Sequence, residues 1–390
     1  MSAPAIVVEA LPAGFGDCLL VTCDVGGRPW RLLVDTGPDE TYPALRRRLQ
    51  ALPPGPDGRR HVDLFVVSHI DHDHIGGARL LLDDAALGLR FGDIWFNAPP
   101  APARRVRGVA EGESLATLLG AAESALPWNA AWRGEPVATG EGEAGRGCTL
   151  PGGPTLTLLS PTPSRLDALY KVWAKELERL RRREHDAAAE TEAAPVRRMR
   201  GGEAAPDLEV LAHRRTATDH AVPNGSSIAL LLEHRGASAL LAADAFADVL
   251  VPQLRALAGQ RGQSRIEVDL LKLSHHGSRA NVTRELLDAV HARHYVVSTD
   301  NAYFRHPDAE AIARVVTAGG RSSRPLIWFN HDTPRNRQWA DPALIARWDY
   351  EVRYPDGEGR GAVVELPARD GDAMAGAAPA APRTRTRLTR

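Results

Sequence analysis

The chain has 390 residues and a mass of 42.1 kDa, with 48 Lys and Arg against 49 Asp and Glu, a formal net charge of −1. That length suits one large domain with insertions or two ordinary ones. Hydrophobic and charged fractions of 43 % and 25 % exclude wholesale disorder, and the charge balance excludes a surface coated in basic groups. Three cysteines without a CxxC pair exclude a disulfide framework and an all-cysteine zinc site, whereas several of the 14 histidines fall into two tight clusters.

No basic segment followed by an apolar run opens the chain, and no apolar run reaches the roughly 18 residues of a membrane span, so the expectation is a soluble, cytoplasmic protein with no membrane contact. Short apolar runs at 5–10 and 18–23, separated by Gly14-Phe15-Gly16-Asp17, predict two strands and a turn. A strand at 31–34 ends at Asp35-Thr36-Gly37, and a helix is expected over 42–51 with Leu45 and Leu49 on one face. Asp63-Leu64-Phe65-Val66-Val67 reads as a strand buried on both faces, followed by a helix over 75–82 and a strand at 93–97. From about 98 to 223 the pattern weakens into Pro/Ala/Arg loops, a charged helix over 166–189 and an Ala/Glu-rich stretch at 187–194, which predicts an insertion. Strands return at 227–233 and 237–242 around a His234-Arg235-Gly236 hairpin, then at 268–273 and 295–298, with helices at 283–292 and 308–318. This alternation predicts an α/β layered fold in a domain spanning 1–368, and the Ala/Pro-rich 369–390 is expected to be a disordered basic tail.

The most informative stretch is Ser68-His69-Ile70-Asp71-His72-Asp73-His74-Ile75-Gly76-Gly77, with three histidines and two aspartates packed into six residues directly after a buried strand. So many ionisable groups beside a core are costly unless a bound dication compensates them. His69 and Asp71 can point to one side of an extended segment, and Asp73 and His74 toward a second ion about 3.5–4 Å away. By the same alternation His72 points elsewhere. A second constellation follows later strands: Leu240-Leu241-Ala242-Ala243-Asp244, where a bridging carboxylate would sit, and Lys272-Leu273-Ser274-His275-His276-Gly277-Ser278. Ser68 and Ser274 precede histidines but lack a nucleophile-elbow context and read as structural.

The first stretch resembles the HxHxDH signature of the metallo-β-lactamase superfamily, with Asp71 where the second histidine usually stands. In this form it is similar to the HxDxDH subgroup that includes the hydrolase domain of ComEC-type competence DNA-uptake channels, and also to phosphorylcholine esterases. Gly14-Phe15-Gly16-Asp17, Asp35-Thr36-Gly37, Asn224-Gly225-Ser226-Ser227 and Phe304-Arg305-His306-Pro307 resemble further motifs of that subgroup in order, although Arg305 replaces a glycine. The resemblance implies a metallo-β-lactamase-like αββα sandwich with an insertion. It implies two divalent ions, Zn2+ or Mn2+, on His69, Asp71, Asp73, His74, Asp244 and His275. His276 would then be a positioning residue or general acid, with the roles of His275 and His276 interchangeable, and Asp73, His276 and His306 form the catalytic set. The third-motif histidine has no clear counterpart: Leu159-Ser160-Pro161 stands in its place, and His220 and His306 are candidates to replace it.

The implied activity is hydrolysis by a metal-activated hydroxide, which dications would generate near neutral pH while polarising a phosphoryl or carbonyl oxygen. Phosphodiester bonds are the first reading, a nuclease or phosphodiesterase with nucleic acid as substrate and arginines such as Arg279 near the site. The alternative is a small ester, lactone, amide or phosphocholine-like molecule in a pocket walled by Trp95, Trp128, Trp132 and Trp173, although such tryptophans more often pack cores. A non-catalytic protein on a retained fold fits least.

Overall fold

A computed structural model describes residues 3–99, 109–121, 124–141, 144–183, 207–318, 324–357 and 359–369. The expected Ala/Glu-rich stretch at 187–194 and the tail from 370 onward lie outside them.

Alternation of apolar residues builds the first sheet. In β1 (Pro4–Ala10) Ile6, Val8 and Ala10 are buried, and β2 (Leu19–Val25) and β3 (Arg28–Val34) continue antiparallel beside it. β4 (Arg60–Val66) and β5 (Leu89–Trp95) then add parallel. The second sheet begins with β6 (Arg146–Thr149), β7 (Thr155–Ser160), β8 (Ala229–His234) and β9 (Ala237–Leu241), all antiparallel. It continues through parallel β10 (Ile266–Lys272), β11 (Val290–Val297), β12 (Leu326–Phe329) and β13 (Glu351–Arg353). β14 (Ala362–Pro367) returns to the first sheet and pairs with β1, Val8 facing Val364.

The two sheets face each other across one apolar core, to which the first contributes Ile6, Val8, Trp30 and Leu64 and the second Leu230, Leu241, Leu270 and Val296. On the outer face of the first sheet lie α1 (Tyr42–Gln50), α2 (His72–Ile75), α3 (Ala78–Asp83), α4 (Val109–Leu119) and α5 (Pro163–Arg183), packed through residues such as Leu45, Ile75, Leu81, Leu115 and Trp173. α6 (Leu208–His213) joins the opposite layer, and α7 (Val222–Gly225) is a short turn before β8. That layer is completed by α8 (Ala247–Gln260), α9 (Arg284–Ala289), α10 (Ala309–Ala318) and α12 (Pro342–Trp348), after the single turn α11 (Pro334–Arg337). The architecture is the expected αββα sandwich.

Three local expectations are corrected. The helix over 75–82 is two short ones, α2 and α3, with the break at Gly76-Gly77. α8 was not expected, because Pro252 lies inside it and reads as a breaker. The stretch 98–223 is only in part an insertion: β6 and β7 form the edge of the second sheet, with Leu156 and Leu158 in the inter-sheet core. Among the described residues no helix is long and apolar enough to cross a membrane.

Candidate metal centre

Five strands end at the same edge of the sandwich, and the polar residues just beyond them meet there: Asp35 after β3, Ser68–His74 after β4, Asp244 after β9, Ser274–His276 after β10 and Ser298 after β11. Carboxyl ends of parallel strands are where α/β sheets place ligands. The backbone is forced to turn sharply at these ends. Asp35, Ala243, His275 and His276 all have left-handed φ, at 58°, 45°, 49° and 53°, a conformation costly for residues with a Cβ. Gly16 admits the turn at 14–17, since a Cβ there would lie 1.9 Å from the Asp73 carbonyl oxygen. Asp17 N donates to that same oxygen at 3.1 Å.

The hydrogen bonds fix one orientation for each of four histidines. His74 Nδ1 lies 2.8 Å from Asp35 Oδ2, and His69 Nδ1 lies 3.0 Å from Ser68 Oγ, which itself donates to Asp35. His276 Nδ1 lies 2.8 Å from the Ser298 carbonyl oxygen, which can only accept. His275 Nδ1 is 3.1 Å from both Asp219 Oδ2 and Asn281 Oδ1, with Asn224 beside it. In each case the Nδ1 proton is the one used, which leaves Nε2 with its lone pair in the neutral ring.

Those Nε2 atoms converge on Asp244. His74 Nε2 is 3.4 Å from Oδ1, while His276, His275 and His69 lie 3.7, 3.8 and 4.0 Å from Oδ2. Asp73 Oδ2 is 3.3 Å from His276 Nε2, and Asp71 Oδ2 is 3.6 Å from His69 Nε2. Buried side-chain atoms without a hydrogen-bond partner include Nε2 of His69, His74 and His276 and Oδ1 of Asp244. Several orphaned polar atoms aimed at one another are a heavy penalty in a protein interior, and a cation between them removes it. The residues present therefore fit a divalent ion.

The charges agree. Burial alone would keep His74 neutral, but Asp244, Asp35 and Asp73 outweigh it and push its pKa well above the ordinary value. Burial likewise opposes charge on His276, yet Asp244 and Asp17 raise it to about 9. Asp73 is drawn down to about 2 against burial by His74 and His276. Without a metal, the carboxylates draw protons onto the rings, and a dication satisfies the same negative field.

All six residues expected as ligands, and His276 with them, share this centre. His306 stands one layer out, its ring 5.2 Å from that of His275 and its Nδ1 3.5 Å from Asp308 Oδ2. His220 is exposed and turns to Thr218, so it does not replace the missing histidine. His72 is half-exposed against Glu111. Ser68 and Ser274 are structural, the latter donating to the Ala245 carbonyl oxygen. Arg279 is occupied with Glu310 and, through its backbone N, with Asp308. Trp95, Trp132 and Trp173 are buried in the cores rather than walling a pocket.

Sequence reasoning gave no role to Asp35, Asp219, Asn281, Ser298 or the buried pair Lys272–Asp17. Asp17 could be counted with His74 and His276 as a ligand group. However, it meets His276 from the Nδ1 side at 3.3 Å and is already neutralised by the Lys272 ammonium, so it orients the ring. Asp17 and Asp35 belong to the Gly14–Asp17 and Asp35–Gly37 motifs, and Asn224 of the Asn224–Ser227 motif also touches His275, whereas Asp219, Asn281 and Ser298 stand in none of the motifs.

A two-sheet sandwich with a buried histidine and aspartate centre at the strand ends is the arrangement of a metal-dependent enzyme. Residues 11–116 match the family model for the metallo-beta-lactamase superfamily, and the chain is an enzyme with the metallo-β-lactamase fold. The sequence matches no curated protein. Similar solved structures include the metallo-beta-lactamase fold protein YhfI from Bacillus subtilis (13 % identity, TM-score 0.42, covering 92 % of this chain and 99 % of that one). Zn2+-bound PqqB from Methylobacterium extorquens is similar at 12 % identity and TM-score 0.39, covering 93 % and 99 %. A diphosphatase of the PhnP family is similar at 12 % and 0.38, covering 93 % and 98 %.

Proposed function

We propose that this enzyme hydrolyses phosphodiester bonds with two divalent ions, Zn2+ or Mn2+, which Asp244 would help to hold. Asp73, His74 and His276 would hold one ion, and His69, Asp71 and His275 the other. The observation that carries the reading is the donor set itself: three carboxylates and four Nε2 atoms gathered in one cluster. In this assignment His275 takes the place of the absent third-motif histidine. Paired sites of this kind recur in phosphatases and nucleases, and a mixed imidazole and carboxylate donor set suits manganese as well as zinc. The HxDxDH form of the first motif supports a substrate like that of the competence-type subgroup, a nucleic-acid phosphodiester.

Two bound dications would supply a nucleophilic water at neutral pH and stabilise charge on the phosphoryl oxygens. The chain's own contribution is orientation. Asp35 and Ser68 hold His74 and His69, Ser298 and Asp17 hold His276, and Asp219 and Asn281 hold His275. His306, beside His275, is a further group able to carry a proton toward a leaving oxygen.

The test is elemental analysis of the wild type, Asp73→Ala and Asp244→Ala, together with assays of the metal-loaded protein. Substrates are a bis(p-nitrophenyl) phosphate reporter, single-stranded and duplex DNA, RNA, and ester and lactone reporters. Metal lost from both variants and phosphodiester cleavage with Zn2+ or Mn2+ are expected. Unchanged metal content in both variants, or cleavage confined to esters and lactones, would overturn the reading.

A further inference from the structure

Four rings make a continuous ladder from the metal centre to solvent. His306 lies against His275, and Phe304 stacks on His306 with centroids 6.2 Å apart and planes at 21°. Tyr303 meets Phe304 edge-on at 4.7 Å. Phe15, from the turn that rests on Asp73, lies 5.2 Å from Tyr303 at 28° and 6.0 Å from Phe304. Tyr303 is 71 % exposed and Phe304 46 %, and they are the two aromatic members of the exposed large hydrophobic residues described. Exposed aromatics at the mouth of a reaction centre are costly to leave in water unless something covers them.

The loop that carries them is braced. Asp300 N donates to the Gly14 carbonyl oxygen at 2.8 Å, and Ser298 Oγ donates to that of Gly16 at 2.9 Å. The Asn301 amide donates to the His306 carbonyl oxygen and, at 3.1 Å, to Asn336 Oδ1. Next to Asn336, half-buried Arg335 has an Nε with no hydrogen-bond partner. The rings are thus preorganised and joined through the 14–17 turn to Asp73.

We propose that Phe15, Tyr303 and Phe304 form a stacking platform that seats an unpaired nucleobase of a single-stranded nucleic acid whose phosphodiester lies at the metal centre. This deepens the phosphodiesterase reading and rests on it. The geometry selects the occupant. Rings with centroids 5.2 Å apart leave no room for a flat group between them, which needs about 7 Å at ordinary contact distances, so a ligand ring stacks on the exposed outer face. The rings also pack against one another instead of surrounding a void, which disfavours a quaternary ammonium cage. Every base offers a π face, but only when it is out of a duplex, so the platform favours single strands with little sequence preference.

The test is binding of a fluorescein-labelled thymidine hexanucleotide with a cleavage-resistant phosphorothioate backbone to the metal-loaded full chain, against the same backbone made without bases. The wild type should favour the base-bearing strand by about tenfold, within the range of one stacked base. Tyr303→Ala should abolish that preference and Tyr303→Phe restore it. Equal wild-type affinity for the two strands, or a preference that survives Tyr303→Ala, overturns the platform. Cleavage assays of the metal-loaded protein separate the two readings. Base-dependent binding without cleavage of any phosphodiester leaves the platform standing and removes the hydrolytic assignment. Phosphodiester cleavage without base-dependent binding does the reverse.

Discussion

Asp35 Oδ2 lies 2.8 Å from His74 Nδ1, joining the end of β3 to the histidine loop between two side chains that are wholly buried. Asp35 also accepts from the Ser68 backbone N and hydroxyl, so one carboxylate sets the position of the loop and of two rings. Asp35→Asn should weaken metal binding about 10- to 100-fold, the usual effect of losing such an orienting partner. Ser68→Ala should do less. Competition with a chromophoric chelator measures both, and full affinity in Asp35→Asn would show that His74 is held by packing alone.

Chelation should destabilise the wild type. The orphaned Nε2 atoms and Asp244 Oδ1 have partners only when a cation is present, and saturation at about 100 times Kd adds about 2.7 kcal/mol. In a chain of this size that corresponds to a melting temperature on the order of a few degrees higher. Calorimetry with and without EDTA should show the shift in the wild type and none in Asp244→Ala. A wild type indifferent to EDTA would argue against occupied sites.

Lys272 sits mid-sheet on β10, paired across the ladder with Leu241 and Val296, and its ammonium reaches Asp17 across the inter-sheet core. Lys272→Met leaves that carboxylate buried with its cation gone, which should cost about 3–5 kcal/mol in urea unfolding. Adding Asp17→Asn to that variant should recover part of the loss. If the double variant is no better than the single, the damage comes from packing and the ion pair is not its source.

One histidine far from the metal centre should make stability depend on pH. Trp328 Nε1 donates to His294 Nδ1 at 3.1 Å, which requires that nitrogen to be unprotonated. Burial, aided by Arg293, lowers the His294 pKa below its ordinary value. The folded state therefore binds the proton less readily than the unfolded chain. The stabilising contribution is complete above about pH 6.5, the ordinary imidazole value, and is lost as the pH falls toward the lowered folded value. Between pH 7.5 and 5.5, in EDTA, the urea midpoint should fall more in the wild type than in His294→Gln, whose amide oxygen still accepts from Trp328. Parallel curves would refute it.

The candidate ligands were legible because chemistry and chain order coincide: His69 to His74 follow one strand, and Asp244 and His275 follow two more. The strands with β-branched and leucine runs were legible for the same local reason. What the sequence concealed depends on distant contacts. Both His275 and His276 face Asp244 only because each adopts left-handed φ, a pair of turns no residue preference announces. Lys272 fell inside an expected strand, and its partner Asp17 comes from the turn before β2, far away in the chain. β7 hid between Pro154 and Pro161, and its membership of the second sheet rests on pairing with β8 from the far side of the variable stretch. The tryptophans drew attention as a pocket wall by ring size alone, whereas burial put them in the cores and left Tyr303 and Phe304 outside.

The pairing of β1 with β14 has a consequence for how the chain is made. Val8 faces Val364, so β1 keeps one hydrogen-bonding edge open until the chain has been made as far as β14. An unpaired apolar edge recruits other strands. Pairing with β14 moves that edge outward, from β1 to β14, and joins the two extremes of the described fold.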